Sequence, residues 1–294
     1  MGEWLGNRLR DGAHGPPDPP GSEAPPGPAL PPPQVFFKYR IRNNFKDGEY
    51  LGPRLGDKVF IVLLIMSLYW GVGDKEGMAS GVTNIAAVLF MWSTMPGFGA
   101  AAYVPAITLE RGLYVRERND GLYTPITYLL CKLLEEALLA VPVSLVGAAI
   151  VFYSLQLAGS FALFWLTYIF TLLCGIILAY AVASASPNMD VANAALPTYV
   201  VTLLFFGGFL IRFPDMPRGW RWYSAICFLR YSWGAQMVNQ FEDNDTIFAD
   251  GKTILQFYDL DGASKWGQCC VLLAFFGAFF VLAWMALYIK HQKR

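Results

Sequence analysis

Histidine is nearly absent from this 294-residue sequence, since only His14 and His291 occur. Both lie outside the long apolar runs, so intramembrane acyl transfer or serine hydrolysis would lack a buried imidazole base. Cysteine is scarce as well. None of the five cysteines forms a CxxC pair, and none has a histidine at the spacing of metal ligands. We therefore expect no metal site and no catalytic residue in this chain.

Charge is also scarce, because Asp, Glu, Lys and Arg make up only 15% of the residues while 55% are hydrophobic. The mean hydropathy of +0.39 leaves too little polar surface for a soluble domain of this length. The lipid bilayer is therefore the expected solvent, and membrane lipid is an expected partner. A formal net charge of zero gives no electrostatic case for a nucleic-acid partner.

Long apolar runs predict six transmembrane helices. The run Ala137–Met189 is uncharged throughout and must contain two helices, with a turn near residues 157–160. The run Met78–Leu109 is interrupted by two prolines and predicts one kinked helix in preference to two. The first run along the chain, Val59–Gly73, is shorter than the roughly 20 residues that cross the hydrocarbon, so we expect its helix to start near Leu55. The other two runs are Val191–Ile211 and Trp266–Ile289.

The interiors of these predicted spans contain no Glu, Lys or Arg, and Asp190 stands alone at a helix end. Aspartyl proteolysis requires a pair of carboxyl groups, and proton or ion relays depend on ionisable side chains inside the membrane. We therefore expect neither an intramembrane protease nor an ion-driven carrier. Energy for any transport would have to come from another source.

The distribution of basic residues predicts the topology. Six spans place both termini on one side of the membrane, and fifteen of the 22 Lys and Arg residues lie on that side. By the positive-inside rule both termini are expected in the cytoplasm. The loop 212–266 then lies outside, where Asn244 begins an N-x-T sequon and is the expected glycosylation site. We expect a multi-pass protein of the plasma membrane, and we recognise no sorting signal in the sequence.

Within this outer loop, Trp220–Phe241 has five Trp or Tyr residues among apolar ones. Such a composition favours a short helix that re-enters the outer interface, and a soluble cap is the alternative. The following residues, Asp243–Trp266, are polar and are expected in water. The predicted fold class is therefore an all-α membrane protein with six transmembrane helices and a re-entrant outer helix before the last span.

Two segments precede the first span. Residues 1–35 are predicted to form a disordered Pro-rich tail, because ten of the nineteen residues from Gly15 to Pro33 are proline. A solvated tail is the simpler interpretation, and a PxxP docking ligand is the alternative. Residues 36–58 are basic and aromatic, which predicts an amphipathic connecting segment against an anionic inner leaflet.

A polar island, Glu110–Lys132, separates the second and third predicted helices. Its acidic residues alternate with arginines, as expected of a structured surface segment and not of a flexible loop. We therefore expect another polypeptide to dock on this turn.

Three stretches carry a resemblance to a known family. They are Glu110–Tyr123, Ser186–Asp190 at the start of the fifth helix, and Phe228–Phe241. From about Tyr39 to Lys290 the chain resembles the membrane domain of an ABC exporter of subfamily G, the White or pleiotropic-drug-resistance type. The order and spacing of the three stretches agree with that family, as does the long last outer loop. We therefore predict an ABC-2 type transmembrane domain at 59–290, followed by a short cytoplasmic tail at 291–294.

This resemblance implies a homo- or heterodimer in which each half contacts a nucleotide-binding domain, in cis or in trans. ATP and Mg would act through that partner domain, and this chain would need no cofactor of its own. The resemblance also implies that residues 110–123 receive the ATPase stroke. The residues expected to couple the chain to the ATPase are Glu110, Arg111, Arg116, Glu117, Gly121 and Tyr123.

The substrate path of the family lies between the second and fifth helices of two protomers. The positions that match it are Thr94, Phe98, Val201 and Leu204. Phe209 and Leu210 match an apolar plug before the outer exit. The alternative for each residue is contact with lipid or ordinary packing. An apolar path of this kind suits lipophilic or amphipathic cargo.

The sequence departs from the family because it contains no Walker motif and no ATPase signature. Residues 1–35 are far shorter than an ATPase domain of roughly 200 residues. We therefore expect a fragment of a longer transporter or a subunit that borrows its ATPase, and no enzyme activity of the chain alone. The expected function is ATP-driven export by alternating access. The alternatives are a non-transporting protein that regulates an intact transporter, and a membrane enzyme, which the missing His and carboxylates disfavour.

Overall fold

The structure is a computed structural model that describes residues 48–75, 79–121, 123–243, 247–249 and 251–292. The predicted tail at 1–35, the first part of the predicted connecting segment (36–47) and the predicted glycosylation site Asn244 lie outside the described residues.

The described residues are almost entirely helical. The α-helices are α1 (Gly48–Tyr69), α2 (Ala79–Gly99), α3 (Pro105–Thr108), α4 (Arg111–Asn119), α5 (Pro125–Ser154), α6 (Phe161–Ala185), α7 (Met189–Phe206), α8 (Arg221–Ala225), α9 (Phe228–Phe241), α10 (Ile254–Phe257) and α11 (Lys265–Gln292). Short 3₁₀ helices lie at Val72–Lys75, Ala100–Tyr103, Phe213–Asp215 and Arg218–Trp220. The strands β1 (Ile247–Ala249) and β2 (Lys252–Thr253) form an antiparallel hairpin.

Six segments are long and apolar enough to cross a membrane, which confirms the predicted number of spans. They are Arg54–Asp74, Ser80–Thr108, Pro125–Ser154, Phe161–Ala185, Met189–Phe206 and Lys265–Ile289. The second span is continuous from α2 to α3 but is interrupted by a 3₁₀ turn at Ala100–Tyr103. Helix α3 begins at Pro105, and proline is favourable there because the N–H group that it lacks would have no partner in the first turn. The prediction of one kinked helix is therefore confirmed.

The prediction that the spans lack Glu, Lys and Arg is wrong. Helix α5 begins at Pro125 and not at Ala137, and it carries Lys132, Glu135 and Glu136, each with at most 2% of its surface exposed. Thr124 caps the helix by accepting a hydrogen bond from the amide of Thr127 at 3.3 Å. Lys132 and Glu136 are tolerated in a span because Glu110 and Arg54 pair with them, as described below.

Helix α6 lies at the centre of the bundle. Two thirds of its most apolar stretch is buried (67%), a larger share than in any other of the six described spans. It contacts α2, α5, α9 and α11. Its small and hydroxyl residues allow this close packing: Gly175 faces the backbone of Pro96, and the hydroxyls of Thr171 and Ser232 lie 2.6 Å apart.

The turn between α5 and α6 is held by helix α9. Asn239 accepts a hydrogen bond from the amide of Ser160 at 3.0 Å and donates one to its carbonyl at 3.1 Å. Gly159 adopts a φ of +82°, which favours glycine, and passes directly against the Asn239 backbone. The predicted turn near residues 157–160 is therefore confirmed.

The segment Trp220–Phe241 forms two helices, α8 and α9, in place of one. Helix α9 is embedded among the spans: Trp233 donates to the carbonyl of Ala86 in α2 at 3.2 Å, and Phe228 contacts Phe279 of α11 edge to face at 5.9 Å. Since Phe279 lies fourteen residues inside α11, the start of α9 lies about 20 Å from the N-terminal end of that helix. The prediction that this segment re-enters the bundle before the last span is confirmed.

Candidate functional site: the turn between the second and third spans

The coupling segment, residues 110–123, contains a short helix, α4, at the end of the bundle where α6 ends and α7 begins. Glu110 precedes α4 and accepts a hydrogen bond from Nζ of Lys132 at 2.8 Å and from the hydroxyl of Tyr128 at 3.4 Å. Lys132 is 1% exposed, so this ion pair is partly shielded from water. Glu110 therefore ties the start of α4 to α5.

Arg111 ties the same helix to α6. Its guanidinium donates hydrogen bonds to the carbonyls of Ala183, Ser186 and Pro187 at 2.6, 2.8 and 2.8 Å. These carbonyls lie at the C-terminus of α6, where intrahelical donors are missing and the partial charge is negative. The planar guanidinium satisfies several acceptors at once, which the single ammonium of lysine cannot do with the same geometry.

Three tyrosines pack together where α4 meets the start of α5. The rings of Tyr114 and Tyr128 lie 4.7 Å apart, and Tyr123 stacks on Tyr128 at 5.8 Å. The hydroxyl of Tyr123 donates to Glu117 at 2.6 Å. The segment is thus held against the bundle by polar and aromatic contacts.

The hydroxyl of Tyr114 is buried and has no hydrogen-bond partner among the described residues. Burial raises the pKa of this hydroxyl, while the nearby Arg118 acts in the opposite direction. We expect Tyr114→Phe to leave the stability unchanged or to raise it by up to about 1 kcal/mol, because an unpaired buried polar group is removed. Tyr123→Phe, the matched control, should lower it by about 1.5 kcal/mol, since a bond to a carboxylate is lost. Thermal unfolding measures both effects, and an equal loss of stability in the two variants would contradict the absence of a partner for the Tyr114 hydroxyl.

The other two predicted coupling residues have different surroundings. Gly121 adopts a φ of +72° and ends the turn after α4, with its amide donating to the carbonyl of Arg118 at 3.0 Å. Arg116 is exposed on the side of α4 that faces away from the bundle. Leu109 and Leu113 are also exposed, at 73% and 50%. One face of the segment is therefore fixed to the bundle, and the other presents apolar and basic side chains.

A second polar cluster lies deeper in the bundle, and sequence reasoning missed it. Arg54 in α1 forms a two-pronged ion pair with Glu136 in α5, at 2.9 and 2.6 Å. Tyr180 of α6 donates to the same carboxylate at 3.3 Å. Lys58 donates to the hydroxyl of Tyr103 at 3.2 Å. The spacing of Lys132, Glu135 and Glu136 on α5 was the available signal, because these residues share one helix face.

The predicted substrate-path residues do not share one surface of the protomer. On α2, Thr94 is buried and its hydroxyl donates to the carbonyl of Met91, while Phe98 is half-buried. On α7, Val201 is exposed and Leu204 packs against the core. Their role in a substrate path stays a prediction.

The two predicted plug residues lie just after α7 and face different surroundings. Phe209 stacks on Phe90 of α2 at 5.0 Å and contacts Trp233 of α9 at 5.8 Å. Leu210 is 52% exposed. Phe209 thus joins an aromatic cluster with residues of α2 and α9, while Leu210 is exposed.

Comparison with known families identifies the family of this chain. The model of the ABC-2 type transporter family matches residues 34–241 of this chain. The chain belongs to the ABC-2 type transporter family. The match covers the coupling segment, five of the six spans and the re-entrant helix of this ABC-2 chain.

The ABC-2 chain is also similar to curated ABC transporters of the G family. It is 29% identical over 210 residues to the ABC transporter ATP-binding protein/permease wht-1 of Caenorhabditis elegans, covering 64% of this chain and 31% of that protein. It is 25% identical over 224 residues to STR2 of Medicago truncatula (76% and 30%), and 26% identical over 261 residues to G family member 1 of Dictyostelium discoideum (80% and 32%). The chain spans about a third of the length of these relatives.

Proposed function

We propose that this chain is the membrane part of an ATP-driven exporter and that the coupling segment receives the motion of a nucleotide-binding domain. The observation that carries the proposal is the double attachment of α4. Glu110 binds α5, and Arg111 binds the end of α6. A helix anchored in this way transmits a displacement to two spans, whereas a flexible loop would absorb it.

The exposed face of the coupling segment supports docking of a second protein. Leu109, Leu113 and Arg116 project from the face that the bundle leaves uncovered. A nucleotide-binding domain, in cis or in trans, would dock here and would supply ATP and Mg. Both termini and the coupling segment then lie in the cytoplasm, in agreement with the distribution of Lys and Arg.

The buried ion pair extends the connection to the first span. A push on α4 reaches Lys132 in α5, and one turn further along the same helix Glu136 holds Arg54 of α1. Spans α1 and α5, together with α6 through Arg111, are therefore linked by charge-assisted hydrogen bonds. Such bonds favour movement of these spans as one body.

The cargo path would lie beside α7. Only 22% of this helix is buried, and Val201 and Phe205 are exposed on it. A second protomer, identical or related, would cover this face and enclose a path for lipophilic or amphipathic cargo. Alternating access would move the cargo outward past Phe209 and Leu210 at the plasma membrane.

The test is the substitution Arg111→Ala in the chain joined to its nucleotide-binding domain. We expect ATP-dependent export of a lipophilic dye from cells to fall at least about tenfold. The loss of hydrogen bonds from a charged group costs about 1.5–3 kcal/mol, and here it would separate α4 from α6. Lys252→Ala at the opposite end of the bundle is the control and should keep full export.

Assembly is measured alongside, by co-purification of the ATPase domain and of a second protomer. Loss of export with assembly preserved supports the proposal. Export equal to that of Lys252→Ala would contradict it and would favour the alternative, a non-transporting protein that assembles with an intact transporter.

A further inference from the structure

The segment between α7 and α9 combines exposed tryptophans with arginines at one end of the bundle. Trp220 and Trp222 are 54% and 61% exposed. Residues 207–241 contain four arginines and a single acidic residue, Asp215. This composition is unlike that of the adjoining spans.

Hydrogen bonds to α7 fix the depth of this segment. The hydroxyls of Tyr223 and Thr202 lie 2.7 Å apart, and Ser224 donates to the carbonyl of Phe206 at 3.1 Å. Phe206 ends α7, whose 18 residues extend about 27 Å, close to the thickness of the hydrocarbon layer. The segment therefore lies beside the last turn of a span, at the boundary between hydrocarbon and headgroups. This is the membrane face opposite the coupling segment.

The tryptophans fit such a boundary. The ring of Trp220 lies 5.6 Å from that of Phe206, and Trp222 contacts the ring of Tyr223 at 5.7 Å. Both indoles remain largely exposed after these contacts. Exposed indoles are favourable where their rings meet lipid and their N–H groups meet water.

The positive charge beside them is only partly neutralised. Asp215 forms an ion pair with Arg212 at 2.7 Å. Arg221 is oriented by the carbonyls of Pro214 and Met216, at 3.1 and 3.3 Å, and these carbonyls carry no net charge. Arg218 is exposed and makes no hydrogen bond or ion pair with the part of the chain that the structure describes.

Another arginine approaches the same site. The guanidinium groups of Arg221 and Arg230 lie 5.5 and 4.1 Å from the ring centroid of Phe213. Arg230 also lines a cavity of about 300 Å³ that it shares with the exposed Asp259. The guanidiniums of Arg221 and Arg230 thus both lie against the ring of Phe213. Arg218, three residues before Arg221, is exposed. Guanidiniums that no carboxylate of the described residues neutralises, such as those of Arg218 and Arg221, are suited to phosphate oxygens.

We propose that Arg218 and Arg221, with Trp220 and Trp222, bind the headgroup of an anionic glycerophospholipid at this membrane face. The indoles contact the upper acyl chains and glycerol region, and the guanidiniums contact the phosphate. The proposal requires only that the chain spans a membrane. It therefore does not depend on the proposed export function.

The full chain is purified and placed in nanodiscs of phosphatidylcholine with or without phosphatidylserine, and the lipids it retains are quantified by native mass spectrometry. We expect preferential retention of phosphatidylserine. Arg218→Gln should weaken this preference about fivefold, because a basic residue near an anionic surface contributes about 1 kcal/mol. Lys252→Gln, an exposed cation in the outer hairpin, is the matched control and should change nothing.

The depth of Trp222 in the membrane is tested separately. Brominated phosphatidylcholine is used to quench the tryptophan fluorescence of the parent chain and of Trp222→Phe. We expect the variant to lose a quenched component. The proposal is overturned if phosphatidylserine is not preferred, if Arg218→Gln equals Lys252→Gln, or if inorganic phosphate displaces the lipid. It is also overturned if Trp222 is unquenched because a second copy of the chain covers it.

Discussion

Replacing Arg54 with alanine is expected to lower the free energy of unfolding of this ABC-2 chain by about 3–5 kcal/mol, because the buried carboxylate of Glu136 loses its counter-charge. The pair is nearly inaccessible, with 6% of Arg54 and 2% of Glu136 exposed. After the substitution, the hydroxyl of Tyr180 would still donate to Glu136 but could not balance its charge. The guanidinium also lies over the ring of Tyr103 at 5.0 Å, a contact that is lost too.

A double substitution separates the charge effect from lost packing. Arg54→Met together with Glu136→Leu removes both charges and keeps apolar volume, so we expect it to recover most of the lost stability. Unfolding of the purified chain in mixed detergent micelles, followed by circular dichroism, gives the comparison. A loss below about 1 kcal/mol for Arg54→Ala, or no recovery in the double variant, would show that the pair is solvated and not buried.

Substituting Gly159 with alanine is expected to prevent α9 from docking on the turn between α5 and α6. A Cβ atom at this position would lie 2.0 Å from the carbonyl oxygen of Asn239, and backbone cannot move aside as a flexible side chain can. The φ of +82° adds strain for any L-residue. Together these effects should cost about 3 kcal/mol or more.

Gly277→Ala is the matched control, because Gly277 lies within α11 and a Cβ there would meet no atom within 4 Å. We expect this variant to be as stable as the parent or slightly more so, since alanine favours a helix over glycine by about 1 kcal/mol. The yield of monodisperse protein and its melting temperature report both effects. Similar melting temperatures for the two variants would contradict the close approach of Gly159 to Asn239.

Local sequence features were sufficient for the outline of the fold. Uninterrupted apolar length predicted six spans, and the mixture of aromatic and polar residues in Trp220–Phe241 predicted a re-entrant element. The same reasoning placed the start of α5 twelve residues too late. It ended the polar island at Lys132 and began the apolar run only after Glu136, because an isolated charge is costly in a bilayer.

The candidate site likewise was predicted in part from local sequence features and in part could not be. The alternating charges of the coupling segment indicated an ordered surface element, and the structure shows a helix there. The sequence could not show that Arg111 would reach three carbonyls at the end of α6, more than 70 residues away. Nor could it show that Thr94 would be buried while Val201 is exposed.

By itself, then, the sequence determined that the chain spans a membrane six times and that its polar turn is structured, because hydropathy and charge alternation are local properties that no partner can alter. Only the tertiary structure decided which charges lie inside the bundle and what they bind. Arg54 and Glu136 are 82 residues apart in sequence. Each is acceptable within the bundle only because folding brings the other within hydrogen-bond distance.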